Sequence, residues 1–497
     1  MRNSMQKFSL VSAGVVVGVL ISLNFSAIAN KEPQPAAAPT AQPLPIEELR
    51  AFTEVFGRIK SDYVEPVEDK KLIREAINGM LLGLDPHSLY LDEESFKELR
   101  ETTQGEFGGL GLEVGMEDGF VKVISPIEDT PAYRAGMKAG DLIMMLDETN
   151  VRGLSLNDAV KRMRGKPNST IKLTVLRKGE AKPLTFTLTR AVIKIQSVKN
   201  KLLDNGYGYV RITQFQEHTT PDLGKALEGL YKQNKAPLKG LVLDLRNDPG
   251  GLLDSAVGVA AAFLPANTLV VYTDGRIADA KMRKFTNKED YVRGFKEDPL
   301  ANLPKEVKTV PMVVLVNSGS ASASEIVAGA LQDHKRAILV GTQTFGKGSV
   351  QSVLPLSATS AIKLTTARYY TPSGRSIQAK GIAPDVEVEE AIVNLNTAPQ
   401  GFRVREADLE RHLENKDDKT KPKGKAVDKD SKAKPAEPPK DKSSEAGKDK
   451  AAAGDDAAQQ EGPLEMASKK DYQLQQALNV LKVQQSLQQK KYASNIR

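Results

Sequence analysis

The sequence predicts a multidomain α+β protein: an α/β core, a smaller domain inserted ahead of it, and a helical N-terminal region. Three observations predict it. Between residues 200 and 395, short apolar runs alternate with stretches of helical period, as in folds where crossover helices join strands of a partly parallel sheet. Residues 98–192 stand outside that alternation, with glycine-rich turns and an alternating run from Leu184 to Arg190. Near the N-terminus, Leu49, Phe52, Val55, Phe56, Ile59 and Tyr63 recur at helical spacing, as do Leu72, Ile73, Ala76, Ile77, Met80 and Leu81. A chain of 497 residues has room for two or three such domains.

Arg2 and Lys7 precede an apolar run from Phe8 to Leu23, and Ser26-Ala27-Ile28-Ala29 offers a small-x-small cleavage site. Residues 1–29 therefore read as a secretory signal peptide. If uncleaved, the run is an anchor, short for a membrane span. The expected location is the periplasm or cell envelope. Residues 30–45 are a Pro/Ala-rich linker, and residues 46–97 the helical region, ending near the turn Asp85-Pro86.

In the core, residues 193–398, the expected strands are Tyr207–Phe215, Leu241–Leu245, Leu269–Tyr272, Met312–Val316 and Ala337–Val340. Pro221–Tyr231, Leu253–Phe263 and Ser324–Leu331 read as helices between them. The turn Asp244–Gly251 and the serine run after Val316 fall at the C-terminal ends of strands, where open α/β sheets place their sites. Residues 399–414 read as a charged helical segment. Residues 415–463 are rich in Lys, Asp, Pro, Ala and Gly with almost no large apolar residue, so they lack a core and read as disordered. Residues 464–497 read as an amphipathic helix striped by Leu474, Leu478, Val480 and Leu481. That helix either docks on its own core or pairs with a second copy or a partner.

Net charge is +7, but much of the lysine lies in the low-complexity stretch, and no aromatic-interleaved basic patch points to a nucleic-acid partner. The chain has no cysteine. Thiol nucleophiles, disulfides and cysteine-held metals are thereby excluded, and neither a metal nor a cofactor is expected.

The chemistry concentrates in Ser318-Gly319-Ser320-Ala321-Ser322-Ala323-Ser324-Glu325. A serine at a helix N-terminus sits beside free backbone N–H groups that can hold a negative oxygen. It needs a base, and a neutral lysine amine can serve. Gly346-Lys347-Gly348 follows, then Gln351. The four histidines, His87, His218, His334 and His412, have no evident Ser/His/Asp setting, although His218 stays open. Chemistry alone does not choose among Ser320, Ser322 and Ser324. A rival reading fails one residue on. Gly341 to Lys347 nearly spells a phosphate-binding loop, but Gly348 stands where the metal-binding hydroxyl belongs.

Taken together, Leu84-Asp85-Pro86-His87-Ser88, Phe107 to Leu112, Asp244 to Gly251, Gly319 to Glu325 and Phe345 to Gln351 resemble, in order, the motifs of the carboxyl-terminal processing peptidases. These are serine endopeptidases with a Ser-Lys-Gln centre, and the resemblance covers roughly residues 45–395. It implies Ser322 as nucleophile, since the gap to the lysine matches the family, Lys347 as general base and Gln351 as the residue that positions the lysine. It also implies an oxyanion hole from the N–H of Ala323 and of Gly250 or Gly251. Residues 98–192 resemble a PDZ domain, with Gly109-Leu110-Gly111-Leu112 as the loop that captures a peptide C-terminal carboxylate. Pro131-Ala132, Ala135 to Asp141 and the helix near Leu156 to Met163 complete the resemblance. Arg164 is either a gating contact from this domain to the core or a plain solvated residue. The expected function is cleavage of envelope proteins at or near their C-termini, with the PDZ domain recognising substrate and gating activity. Expected partners are proteins with exposed C-termini, an activating adaptor and further copies of the chain. The rival is a non-catalytic PDZ scaffold on a protease-like fold.

Overall fold

The computed structural model describes residues 45–292, 294, 297–390, 405–409, 411–415 and 466–495. The expected signal peptide, and nearly all of the linker and of the low-complexity stretch, lie outside the described residues.

The chain forms two units, Met1–Glu75 and Ala76–Arg497. In the first, α1 (Ile46–Asp62) buries no residue, and its Leu49, Phe52 and Val55 are solvent-exposed. Helix α2 (Asp69–Leu82) begins there and ends in the second unit.

The second unit continues with β1 (Leu89–Leu91) and α3 (Glu93–Gln104). The Asp92 side chain caps α3 by accepting from Ser95 N, and Gly105 ends it in the left-handed region at φ 75°. Then comes a small β domain: β2 (Glu106–Gly109), β3 (Leu112–Glu117), β4 (Phe120–Pro126), α4 (Pro131–Arg134), β5 (Leu142–Leu146), β6 (Thr149–Asn150), α5 (Leu156–Met163), β7 (Thr170–Leu176), β8 (Leu184–Thr189) and β9 (Ala191–Lys194). Its sheet runs β3-β4-β5-β7-β8, around a core that includes Val121, Ile143, Leu173 and Val175. Strands β2 and β9 form an antiparallel ribbon where the chain enters and leaves.

The core follows with β10 (Val198–Leu203), β11 (Tyr207–Ile212), α6 (Thr219–Asn234), β12 (Gly240–Asp244), α7 (Leu253–Phe263), β13 (Leu269–Gly275), β14 (Arg283–Phe285), α8 (Lys288–Tyr291), β15 (Met312–Val316), α9 (Ala323–Asp333), β16 (Ile338–Gly341), β17 (Ser349–Pro355), β18 (Ala361–Tyr370) and β19 (Val386–Glu387). Strands β11-β12-β15-β16-β19 are parallel neighbours in that order, with β10 antiparallel at one edge. Every residue of β12 and β15 is buried, as expected of strands covered on both faces. Leu241, Leu243, Val314 and Val316 join one apolar cluster with α6, α7 and α9, while Val242, Val313 and Leu315 join another on the opposite face.

That second face is covered by α10 (Tyr472–Asn495), whose Leu474, Ala477 and Leu481 are fully buried. Of the two readings of this helix, docking on its own core is the one observed. Burying one such leucine contributes about 1.5–3 kcal/mol. The dock is also polar: Arg246 donates to both carboxylate oxygens of Asp471, at 3.0 and 2.6 Å, and to Gln473 at 3.0 Å. The same guanidinium pairs with buried Asp244, which closes β12.

Leu269–Tyr272 is a strand, and β13 belongs to a second, antiparallel sheet, β1-β18-β13-β14, with β17 paired to β18. Where residues 399–414 read as a charged helical segment, the described ones show one 3₁₀ turn, Glu406–Asp408, and no α-helix.

Candidate active site

The site lies at the C-terminal ends of neighbouring strands β12 and β15. Two loops leave there side by side and are laced together. Asn317 Oδ1 accepts from Asn247 N at 2.9 Å and Gly319 N at 3.0 Å, and Asn317 Nδ2 donates to Asn247 Oδ1. Ser320 and Ser324 are buried and spent on structure: Ser320 Oγ donates to Leu245 O at 2.7 Å and Ser324 Oγ to Asp248 O at 2.9 Å. Ser322 differs. It stands at the N-cap of α9 with φ 56° and ψ −111°, a conformation a non-glycine residue adopts only when its surroundings impose it. This sharp strand-to-helix turn sets the side chain apart from its two serine neighbours.

Glu325 holds the turn. Its fully buried carboxylate accepts four bonds. Oε2 takes Ser322 N at 2.8 Å and Lys347 N at 2.9 Å; Oε1 takes Gly346 N at 2.7 Å and Thr344 Oγ1 at 2.5 Å. Burial pushes this carboxyl up to about 7, against the pull of those four donors. Glu325 was missed in the sequence, though its signal was present. Ser322-Ala323-Ser324-Glu325 has the S-x-x-E spacing in which a glutamate reaches back to the N-cap amide.

Glu325 Oε2 thereby ties the backbone amide of Ser322 to that of Lys347. Burial, with the like charge of Lys363 on β18, lowers its ammonium to about 8, while Glu406, Glu325 and Asp85 oppose the shift. Buried Tyr369, also on β18, donates its hydroxyl to Lys347 O, and burial holds that hydroxyl's pKa well above its ordinary value. Tyr369 is a second residue the sequence did not single out.

Among the described residues no hydrogen bond joins Gln351 to Lys347. Gln351 Nε2 donates to Ser349 Oγ at 2.9 Å and Thr365 Oγ1 at 3.3 Å, beside a register shift in the β17–β18 pairing. Among the described residues no hydrogen bond joins Ser322 Oγ to Lys347 Nζ. The Asp85–Ser88 motif is the expected turn. Asp85 accepts from His87 N, Ser88 N and Ser88 Oγ, and Ser88 Oγ accepts from Thr365 N.

The glycine turn packs against the serine. Gly250 has φ 96°, and a Cβ there would lie 2.6 Å from Ala321 O, 2.8 Å from Ala323 N and 2.8 Å from Ser322 Cβ. Gly250 N–H is engaged by Asp248 Oδ1 at 2.8 Å. Gly251, at φ 145°, bridges to Phe215. Burial raises the Asp248 carboxyl to about 8. Its main-chain oxygen also accepts from Ala321 N, joining the two loops.

In the inserted domain, Gly109 ends β2, Leu110 is buried, Gly111 sits at φ 78° and Leu112 opens β3. Strand β3 is terminal in its sheet. Partly buried Leu112 and Val114 on it, with Leu156 and Val160 of α5, pack on the domain core. Among the described residues no hydrogen bond or ion pair joins Arg164 to the serine loops. Its guanidinium stacks on Phe107 at 4.4 Å and faces Glu101 at 3.7 Å.

The model of peptidase family S41 matches residues 206–388, that of the PDZ domain residues 108–188, and that of the activating protease CtpB N-terminal domain residues 10–95. A carboxy-terminal-processing protease of Bartonella bacilliformis is 47% identical over 386 residues, covering 77% of this chain and 84% of the relative. The chain belongs to the carboxy-terminal processing proteases. A second member of these proteases, CtpB of Bacillus subtilis, is 34% identical, with 77% of each chain covered. A solved structure titled photosystem II D1 C-terminal processing protease is 33% identical, covers 68% of this chain and 86% of its own, and has a TM-score of 0.38. As a carboxy-terminal processing protease, the chain is a serine-type peptidase whose S41 core carries an inserted PDZ domain.

Proposed function

We propose that this protein is an exported endopeptidase that cleaves envelope proteins at or near their C-termini, with Ser322 as nucleophile and Lys347 as general base. One observation carries the assignment: the Glu325 carboxylate gathers the amides of both residues onto one oxygen, and Lys347 is buried there with its ammonium near 8. At pH 7 about one lysine in ten with that value is neutral, against roughly one in 2,500 for a free side chain.

The neutral amine accepts the Ser322 Oγ proton as the oxygen attacks the scissile carbonyl. The tetrahedral oxyanion is held by backbone N–H groups, one from Ala323 and the other from Gly251, since Gly250 N–H is already bound to Asp248. Lys347 returns the proton to the leaving amine, leaving an acyl-serine. Water, deprotonated by the same amine, then releases the acid. Gln351 would turn from Ser349 to steady the amine.

The groove between β3 and α5 receives the substrate C-terminus, its carboxylate at Gly109–Leu112 and its backbone added to the β3 edge. Gating, in which bound peptide stabilises an aligned arrangement, is supported by the engagement of Gln351 Nε2 with Ser349 and Thr365. Arg164 would leave Glu101 and Phe107 to contact the core in that state. Export rests on the pattern at residues 1–29. The exposed Leu49, Phe52 and Val55 of α1 suit association of copies, and an activating adaptor could act at the same level.

The direct test is Ser322→Ala, assayed on an unfolded protein with an apolar C-terminus. Loss of cleavage with an unchanged thermal melt supports the assignment; retained cleavage sinks it. For gating, single-turnover cleavage of a short reporter is measured with and without a separate apolar-ended peptide. Acceleration is expected, and none at saturation would leave the PDZ domain as a tether.

A further inference from the structure

The lysine loop is clamped from a second side. Glu406, in the 3₁₀ turn Glu406–Asp408, is fully buried. Its backbone N donates to Phe345 O at 3.1 Å, two residues before Lys347. Its Oε1 accepts from Gln378 Nε2 at 3.0 Å, and Gln378 Oε1 in turn accepts from Gly348 N at 2.9 Å, one residue after Lys347. His87 Nε2 lies 2.9 Å from Oε2 and 3.0 Å from Oε1, so the carboxylate is fixed from the β1 side as well. Glu325 thus ties the lysine loop to the serine helix, and Glu406 ties its two flanks to a segment beyond the S41 match, which ends at residue 388. A buried carboxylate is costly to place and holds its position only through such partners.

We propose that Glu406 is a positioning residue for Lys347: it fixes both flanks of the lysine loop, so that docking of residues 405–409 sets the placement and the working range of the base. The inference rests on the Ser-Lys reading above. His87 contacts Glu406 directly, Lys347 and Tyr369 feel its charge, and Arg405 and Asp408 lie on its own turn; Lys347 also feels the charges of Lys363, Glu325 and Asp85. The sign follows. A nearby carboxylate favours the charged ammonium, so removing it frees the amine at lower pH.

The test compares wild type, Glu406→Gln and Glu406→Asp in two measurements, each variant first checked by thermal melt. The first is kcat/KM against pH. Glu406→Gln is expected to lower the plateau at least tenfold, mainly in kcat, and to move the rising limb at least half a pH unit toward acid. Glu406→Asp keeps the charge and should keep the wild-type midpoint on a lower plateau. The second is pH-dependent acetylation of Lys347, read by peptide mass spectrometry in a Ser322→Ala background, where no activity is needed. The midpoint should move acidward in Glu406→Gln alone. An unmoved labelling midpoint overturns the proposal. A labelling midpoint that moves while the kcat/KM limb stays put upholds the contact and refutes Lys347 as the base.

Discussion

Ser322 and Lys347 donate their backbone N–H groups to the same atom, Glu325 Oε2, at 2.8 and 2.9 Å. Twenty-four residues of intervening chain, including all of α9 and all of β16, are closed by one carboxylate. Glutamine in its place offers one acceptor oxygen for four donors and brings two hydrogens of its own. Glu325→Gln should therefore lower kcat about 100-fold, the scale of an ångström-sized misplacement of catalytic groups, with KM within threefold. Steady-state kinetics on a short peptide checks this. A kcat within threefold of wild type would show that the shared oxygen does not position the pair.

Ser320, Ser322 and Ser324 should separate cleanly. Ser324→Ala removes the bond to Asp248 O, which costs about 1 kcal/mol of stability and should leave kcat within about fivefold. A denaturant melt and a cleavage assay on the same sample test both. A stable but inactive Ser324→Ala protein would move the nucleophile off Ser322.

At Gly250 the geometry forbids a side chain. Its φ is 96°, and a Cβ would come within 2.8 Å of Ala323 N, the amide proposed to hold the oxyanion. Gly250→Ala should lower kcat by two orders of magnitude or more, the scale of losing one such donor, while the protein still folds. Near-normal turnover would remove Ala323 N from the oxyanion hole.

The C-terminal helix is a layer of the core. Leu474 is 1% exposed and packs on the sheet with Val313 and Leu315. Leu474→Ala should destabilise the fold by about 2–5 kcal/mol, read as a shift in urea midpoint. A shift below about 0.5 kcal/mol would mean that the helix is not bound to the sheet in solution.

Much of this was legible in the sequence, for physical reasons. The apolar runs Leu241–Leu245 and Met312–Val316 read as strands, and β12 (Gly240–Asp244) and β15 (Met312–Val316) are strands buried throughout. The Ser/Ala run marked the start of α9 because short polar residues favour N-caps. The α10 stripe at Leu474 and Leu481 marked a buried face, but spacing could not say what it covers. The antiparallel sheet was not seen. Hairpin β17–β18 carries many polar residues and a register shift, so its period-2 signal is weak. Glu406 stayed hidden because a glutamate in a charged segment reads as solvated, and only tertiary contact with His87 and Gln378 makes it a buried partner.

The pH dependence of kcat/KM, measured together with Lys347→Arg, tests the central claim most directly. Lys347 is held near 8, well below a free lysine, by burial and by Lys363. The amine is the active form, so activity should be low at pH 6, rise about tenfold per unit below that value, and level off above it. Glu325, raised to about 7, and Asp248, raised to about 8, also ionise in this range, so the arginine variant is the control that isolates Lys347. Guanidinium stays protonated throughout, so Lys347→Arg should be inactive at every pH while melting like wild type. A rise through pH 8 that vanishes in Lys347→Arg is the expected result; an active Lys347→Arg enzyme, or a wild-type profile flat from pH 6 to 9, would contradict it.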